Sequence, residues 1–297
     1  MFLINKNLQR ASQYNPEDVN ARVENLRRRW ITNAILTSTL VFAACAPSPD
    51  IEFRPTGVEH IVNGQSLGSK AASKNEPLAR SVVALVAIHQ DSEALCTGTI
   101  LSDDIILTAA HCVENNPEKM AVIFSQNLKP APATTGLNPD VLRRVDRFAE
   151  NPGWGKQSAN GRGDLALVHF AGGLPAGFSP VRLATPGIEL ELNTGVRMLG
   201  YGVTDGIKNK GAGVLRETET TVMSSLSPTE IVTDGRKSSV CFGDSGGPAF
   251  SMQNGLWVQW GVASSVMNQE CNQASIHTEV MSYLSWIKAT AAKLSLK

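Results

Sequence analysis

The sequence has no excess of charge: 27 lysines and arginines meet 27 aspartates and glutamates, a formal net charge of zero at pH 7. Binding to nucleic acid or to an acidic surface needs a basic surplus, so neither is expected. No internal repeat or low-complexity tract occurs, which excludes a solenoid or a linker-like chain. The five cysteines show no Cys-x₂₋₄-Cys pair of the kind that thiolate zinc sites use, so no metal or other cofactor is expected. The mostly apolar run 30–44 falls short of the roughly 20 residues that a membrane-spanning helix needs.

What the chain does have is concentrated in three places. Near the C-terminus it reads Cys241-Phe242-Gly243-Asp244-Ser245-Gly246-Gly247-Pro248. A serine among glycines suits a loop that presents a nucleophile, because glycine turns without a Cβ clash. The N–H groups of Gly243 and Ser245 can converge beside the serine oxygen, as acyl transfer requires for a developing oxyanion. The same residues also fill ordinary turns, so the run alone does not settle the chemistry.

A hydroxyl is a poor nucleophile at neutral pH and needs a base, for which histidine is the natural choice. Five are present: His60, His89, His111, His169 and His277. His111 stands apart, in Leu107-Thr108-Ala109-Ala110-His111-Cys112, where small residues follow an apolar strand. His89, His169 and His277 close or occupy strand-like runs and read as structural. A third group must fix the tautomer of the base, and Asp164 in Gly163-Asp164-Leu165-Ala166-Leu167-Val168 opens a strand. Alone it would read as a turn residue.

Short strand-like runs recur at 82–88, 98–101, 105–109, 121–124, 165–170, 196–201 and 256–262, separated by Gly, Pro, Asn and Asp. This is the pattern of antiparallel β-structure. Residues 61–297 are numerous enough for one large core or two coupled barrels.

Together, Thr-Ala-Ala-His-Cys, Asp-Leu-Ala-Leu and Gly-Asp-Ser-Gly-Gly-Pro, in the order His, Asp, Ser, resemble the trypsin/chymotrypsin-like serine proteases. The likeness runs from Ile61 to about Ile287 and includes Ile61-Val62-Asn63-Gly64, Gly200-Tyr201-Gly202 and a helix-like tail over 283–293. It implies an all-β fold of two six-stranded antiparallel β-barrels with a C-terminal helix, the active site lying between the barrels. It also implies a serine endopeptidase acting on protein or peptide substrates through an acyl-enzyme, with catalytic His111, Asp164 and Ser245 and an oxyanion hole of Gly243 and Ser245.

Residue roles beyond the triad follow from the same resemblance. It pairs Cys96 with Cys112 and Cys241 with Cys271 as disulfides, which places the protein in an oxidising compartment. Ile61 resembles the residue freed by an activating protease, whose new α-amino group pairs with the carboxylate of Asp244. The chain is then a zymogen, although His60 stands where most family zymogens carry Arg or Lys. Ser239 takes the pocket floor where trypsin-like members carry an aspartate, and Val266 and Ser275 take its neck and back. An uncharged floor implies small or medium apolar P1 residues, since a buried cation there would lack its counter-charge. Ser264 resembles the serine that supports the triad aspartate.

Cys45 is left over. Arg27-Arg28-Arg29, the apolar run and Cys45-Ala46-Pro47 resemble a bacterial lipoprotein signal, with ordinary signal cleavage as the alternative. The expected organisation is a signal over 1–44, a tether and propeptide over 45–60, and the protease domain over 61–297. The protein would be exported, either secreted or held by lipid on Cys45 as an outer-membrane or periplasmic lipoprotein of a Gram-negative bacterium. Two other readings compete. A protease-like binding module would be marked by loss of a triad residue, and all three are present; an esterase fold would want the order Ser, Asp, His.

Overall fold

The computed structural model describes residues 61–62, 65–67, 77–89, 92–128, 139–156, 161–187 and 190–296. Cys45, His60 and the whole of the expected signal and propeptide lie outside the described residues.

Strands β2 (Val82–Ile88), β3 (Glu93–Ile100), β4 (Ile105–Thr108), β5 (Lys119–Ile123), β6 (Leu142–Glu150) and β7 (Ala166–Phe170) close a barrel in the order β2-β3-β4-β7-β6-β5. All its pairings are antiparallel. β4 and β7 are buried along their whole lengths, so they read as continuous apolar runs. Their side chains join Val83, Leu85, Val122 and Phe124 in one core. Burial of each such side chain contributes about 1.5–3 kcal/mol.

The second barrel uses β8 (Gly195–Gly200), β9 (Arg216–Ser227), β10 (Glu230–Asp234), β11 (Pro248–Gln253), β12 (Leu256–Val266) and β13 (Ala274–Glu279). Its order is β9-β10-β13-β12-β11-β8, closed by pairing of β8 with β9. The short β1 (Gln65–Ser66) adds to the outside of β9. Trp260, Met198, Val196 and Ala249 centre its core.

A third cluster joins the barrels: Val82, Ala84 and Ile123 of the first meet Leu199, Tyr201 and Phe250 of the second. Tyr201 is fully buried and its hydroxyl donates to Val82 O, and burial pushes its phenol pKa far up, so the ring stays neutral. The helix α1 (Leu284–Ser295) returns to the first barrel, where Ile287 is buried in the first core. No helix among the described residues is long and apolar enough to cross a membrane.

Candidate active site

β4 ends at Thr108, and a single 3-10 turn, Ala110–Cys112, carries His111 away from the barrel wall. The next residue, Cys112, is bonded to Cys96 of β3, sixteen positions earlier. His111 is therefore held from its own side before any catalytic partner is considered.

Asp164 lies just before β7 and is 1% exposed. Its two oxygens take three hydrogen bonds. The His111 backbone N–H donates to Oδ1 at 3.1 Å, Nδ1 of the same ring lies 2.8 Å from Oδ2, and the Ser264 hydroxyl donates to Oδ2 at 2.6 Å. Burial works to raise this carboxyl, but the bonds and charge of His111 and the Ser264 hydroxyl outweigh it and hold the pKa below its ordinary value. An ionised partner at Nδ1 makes that nitrogen the donor and leaves Nε2 as the acceptor, the tautomer a general base requires.

The serine loop belongs to the second barrel and is tied to the first. Thr97 N–H of β3 donates to Ser245 O at 2.8 Å, and Thr97 Oγ1 donates to Gly243 O at 2.8 Å. Gly246 N–H donates to Ala263 O at 2.7 Å, joining the loop to β12. Gly246 has a φ of +80°, and a Cβ there would fall 2.0 Å from Thr108 Oγ1 and 2.4 Å from Thr97 O. Only glycine fits that left-handed turn against the neighbouring main chain. Among the described residues, neither the Gly243 nor the Ser245 N–H donates to a protein acceptor.

His111 and Ser245 line one cavity of about 280 Å³, together with Val240, Cys241, Phe242, Ala263, Ser264, Ser265 and Val266. Of the residues assigned to the pocket from sequence, Ser264 and Val266 are on this wall. Ser239 and Ser275 are fully buried and do not line it: the Ser239 hydroxyl donates to Val240 O, and Ser275 Oγ meets Thr233 Oγ1 at 2.7 Å and His277 Nε2 at 3.2 Å. Val240, Phe242 and Ala263 were not singled out from sequence, because nothing local marks them as wall residues. Trp154, whose ring centroid lies 6.3 Å from that of His111, was missed for the same reason.

Two of the other histidines have structural partners. His169 Nδ1 meets Asp146 at 2.5 Å, and His277 is fully buried beside Thr233 and Ser275, where burial lowers its pKa to about 3 and keeps it neutral. Cys96, His111 and Cys112 cluster closely, but the two sulfurs are bonded to each other and offer no thiolate to a metal. Cys241, four residues before Ser245, is bonded to Cys271 beyond β12. Two disulfides fit an oxidising compartment.

At the start of the domain, Ile61 is fully buried and Val62 forms an antiparallel bridge with Ser239. Asp244 is also fully buried, its Oδ1 accepting from Gly202 N–H at 2.7 Å and its Oδ2 from Cys241 N–H at 2.8 Å.

Two antiparallel barrels with a serine, a histidine and an aspartate gathered where they meet define the architecture of a trypsin-like protease. The Trypsin family model matches residues 71–287. The chain belongs to that family, the trypsin-like serine proteases. It is 28% identical over 219 residues to the dog protein Chymotrypsin-like elastase family member 1, covering 66% of this chain and 81% of the relative. The cattle protein of the same name is 26% identical over 258 residues, covering 77% and 91%. Complement C1s subcomponent of the pig is 28% identical over 221 residues, covering 65% of this chain and 31% of that protein.

Proposed function

We propose that the protein is a serine endopeptidase. Ser245 attacks the scissile carbonyl, His111 takes the hydroxyl proton and returns it to the leaving amine, and Asp164 holds His111 in the productive tautomer. The N–H groups of Gly243 and Ser245 receive the oxyanion. Water then repeats the sequence on the acyl-enzyme.

The observation that carries this reading is the double tether of His111. Its backbone and its ring are both bound to one buried carboxylate, while it lines the same cavity as Ser245. Val240, Ala263 and Val266 give that cavity an apolar wall, which supports small or medium apolar P1 residues. The elastase names of the mammalian relatives point the same way.

Processing belongs to the reading. A cut between His60 and Ile61 frees an α-amino group for Asp244, and lipid on Cys45 lies wholly on the discarded side, so the cut releases the enzyme from the membrane. A precursor without lipid mass on Cys45 removes the release step and leaves the chemistry intact.

The direct test is labelling with a fluorophosphonate after processing. One adduct on Ser245, with cleavage of peptide substrates by the same sample, is expected. An unlabelled, inert protein would instead be a binding module on a protease fold.

A further inference from the structure

Arg162 stands two positions before Asp164 and is held by a carboxylate of its own. Its backbone N–H and its Nε both donate to Glu230 Oε1, at 3.4 and 3.1 Å, and the Ser227 hydroxyl donates to Oε2 of the same group at 3.2 Å. Glu230 opens β10 and is 4% exposed, so its charge is tolerable only among such donors. The arrangement repeats that of His111 on Asp164: one residue bound through backbone and side chain to one buried carboxylate. Gly161, with a φ of +105°, seats the preceding turn against the same loop, where a Cβ would lie 2.4 Å from Thr229 Oγ1 and 2.7 Å from Ser227 Oγ.

The far end of the guanidinium reaches two serines that line the cavity shared by His111 and Ser245. Nη2 donates to Ser265 Oγ at 2.9 Å and to Ser264 Oγ at 3.5 Å. A guanidinium can only donate and a carboxylate can only accept. Ser264 stands between the two, and one arrangement of its hydroxyl satisfies both: oxygen toward Arg162, hydrogen toward Asp164 Oδ2, where the bond is 2.6 Å. The donors therefore run in one direction, from Arg162 through Ser264 to Asp164, whose Oδ2 lies 2.8 Å from His111 Nδ1.

We propose that Arg162, braced by Glu230, is a positioning residue of the triad: it orients the Ser264 hydroxyl so that Asp164 keeps His111 in the productive tautomer. It touches no reacting atom and acts through Ser264. The proposal rests on the catalytic reading and extends it to an ion pair outside the triad motifs.

The test uses protein processed from the full chain. Arg162→Gln should lower kcat about tenfold with KM little changed, as Ser264→Ala should, and the double variant should lie within about twofold of either single one. The low-field proton NMR signal of His111 Nδ1–H, present in wild type, should be lost to solvent exchange in Arg162→Gln. Arg162→Lys keeps a cation beside Glu230 but lacks the planar fork, so it should recover the unfolding midpoint and little of kcat. Recovery of both in parallel would make the pair merely structural and overturns the proposal. If Arg162→Gln does not fold because Glu230 is left buried without Arg162, the variant Arg162→Gln with Glu230→Gln removes both charges and should show the same loss in kcat. Wild-type kcat in either folded variant overturns the proposal, as does a loss that adds to that of Ser264→Ala. A processed wild type that neither labels with a fluorophosphonate nor turns over peptide fails the catalytic reading itself, and the proposal with it.

Discussion

Thr97 and Ser245 share a backbone hydrogen bond of 2.8 Å, and the residue before Thr97 is the disulfide partner of the residue after His111. One short piece of β3 therefore holds both the nucleophile loop and the turn of the base. The Thr97 hydroxyl donates to Gly243 O and accepts from Tyr201 N–H at 3.1 Å. Thr97→Val keeps the volume and strands both groups, at about 1–3 kcal/mol each. Denaturant unfolding should show a lower midpoint, and kcat should fall more than KM rises. An unchanged midpoint would mean that water replaces the hydroxyl.

Removing the first disulfide with Cys96→Ser and Cys112→Ser opens a loop of sixteen residues. The chain-entropy estimate is about 3 kcal/mol, which for a domain of this size lowers Tm by roughly 6–12 °C. Calorimetry on the double variant checks it.

The triad should behave as one unit. Ser245→Ala and His111→Ala should each cost roughly 10⁴- to 10⁶-fold in kcat, and the double variant should be little worse than either. Additive losses would show that the two side chains do not share a step. Ser264→Ala removes the 2.6 Å bond to Asp164 and the 3.5 Å bond accepted from Arg162 Nη2, so a loss of about tenfold in kcat with KM little changed is expected.

These site residues were legible because each sits in a compact motif whose order along the chain is itself informative. The fold was legible where strands are apolar throughout, as in β2, which matches the expected 82–88. It was not where a strand carries charge or threonine on one face. β9 reads Arg-Glu-Thr-Glu-Thr-Thr and alternates between buried and exposed positions, and β6 holds three arginines and an aspartate, so neither stands out from a loop. β3 begins at Glu93 rather than Gly98 because its first residue is exposed and polar. Trp154 gains meaning only when the fold brings it beside His111, far away in sequence.

On the proposed reading, cleavage preference follows from the apolar wall. Substrates with Ala, Val or Leu at P1 should exceed Arg substrates by about 100-fold or more in kcat/KM, since a buried cation without counter-charge costs several kcal/mol. Ser239→Asp should narrow that ratio. Faster cleavage after Arg by the wild type would refute the assignment.

Stability should depend on pH through Asp244. Its carboxyl, raised to about 7 in the folded uncut chain against 3.8 for the unperturbed group, binds its proton more tightly when folded. That contribution is fully present below about pH 4, declines as pH rises through about 7, and is level above. Asp164 has the opposite sign, its stabilisation fading below the ordinary carboxylate range as the depressed group protonates. Urea titrations of the uncut chain between pH 5 and 8 should show the decline, and the processed form, with an ammonium beside Asp244, should lose it. Equal slopes in the two forms would place the α-amino group elsewhere.

The close seat of Gly246 against Thr108 and Thr97 puts main chain directly against the strands that lead to His111. The spacing of nucleophile and base is then set by two backbones in contact, pinned by the Thr97 hydroxyl and the Cys96–Cys112 bond. Val240 and Val266 make no part of that seat and line the cavity that His111 and Ser245 share. On the proposed reading, the side chains at these two positions set the preferred P1 residue while the reaction stays the same.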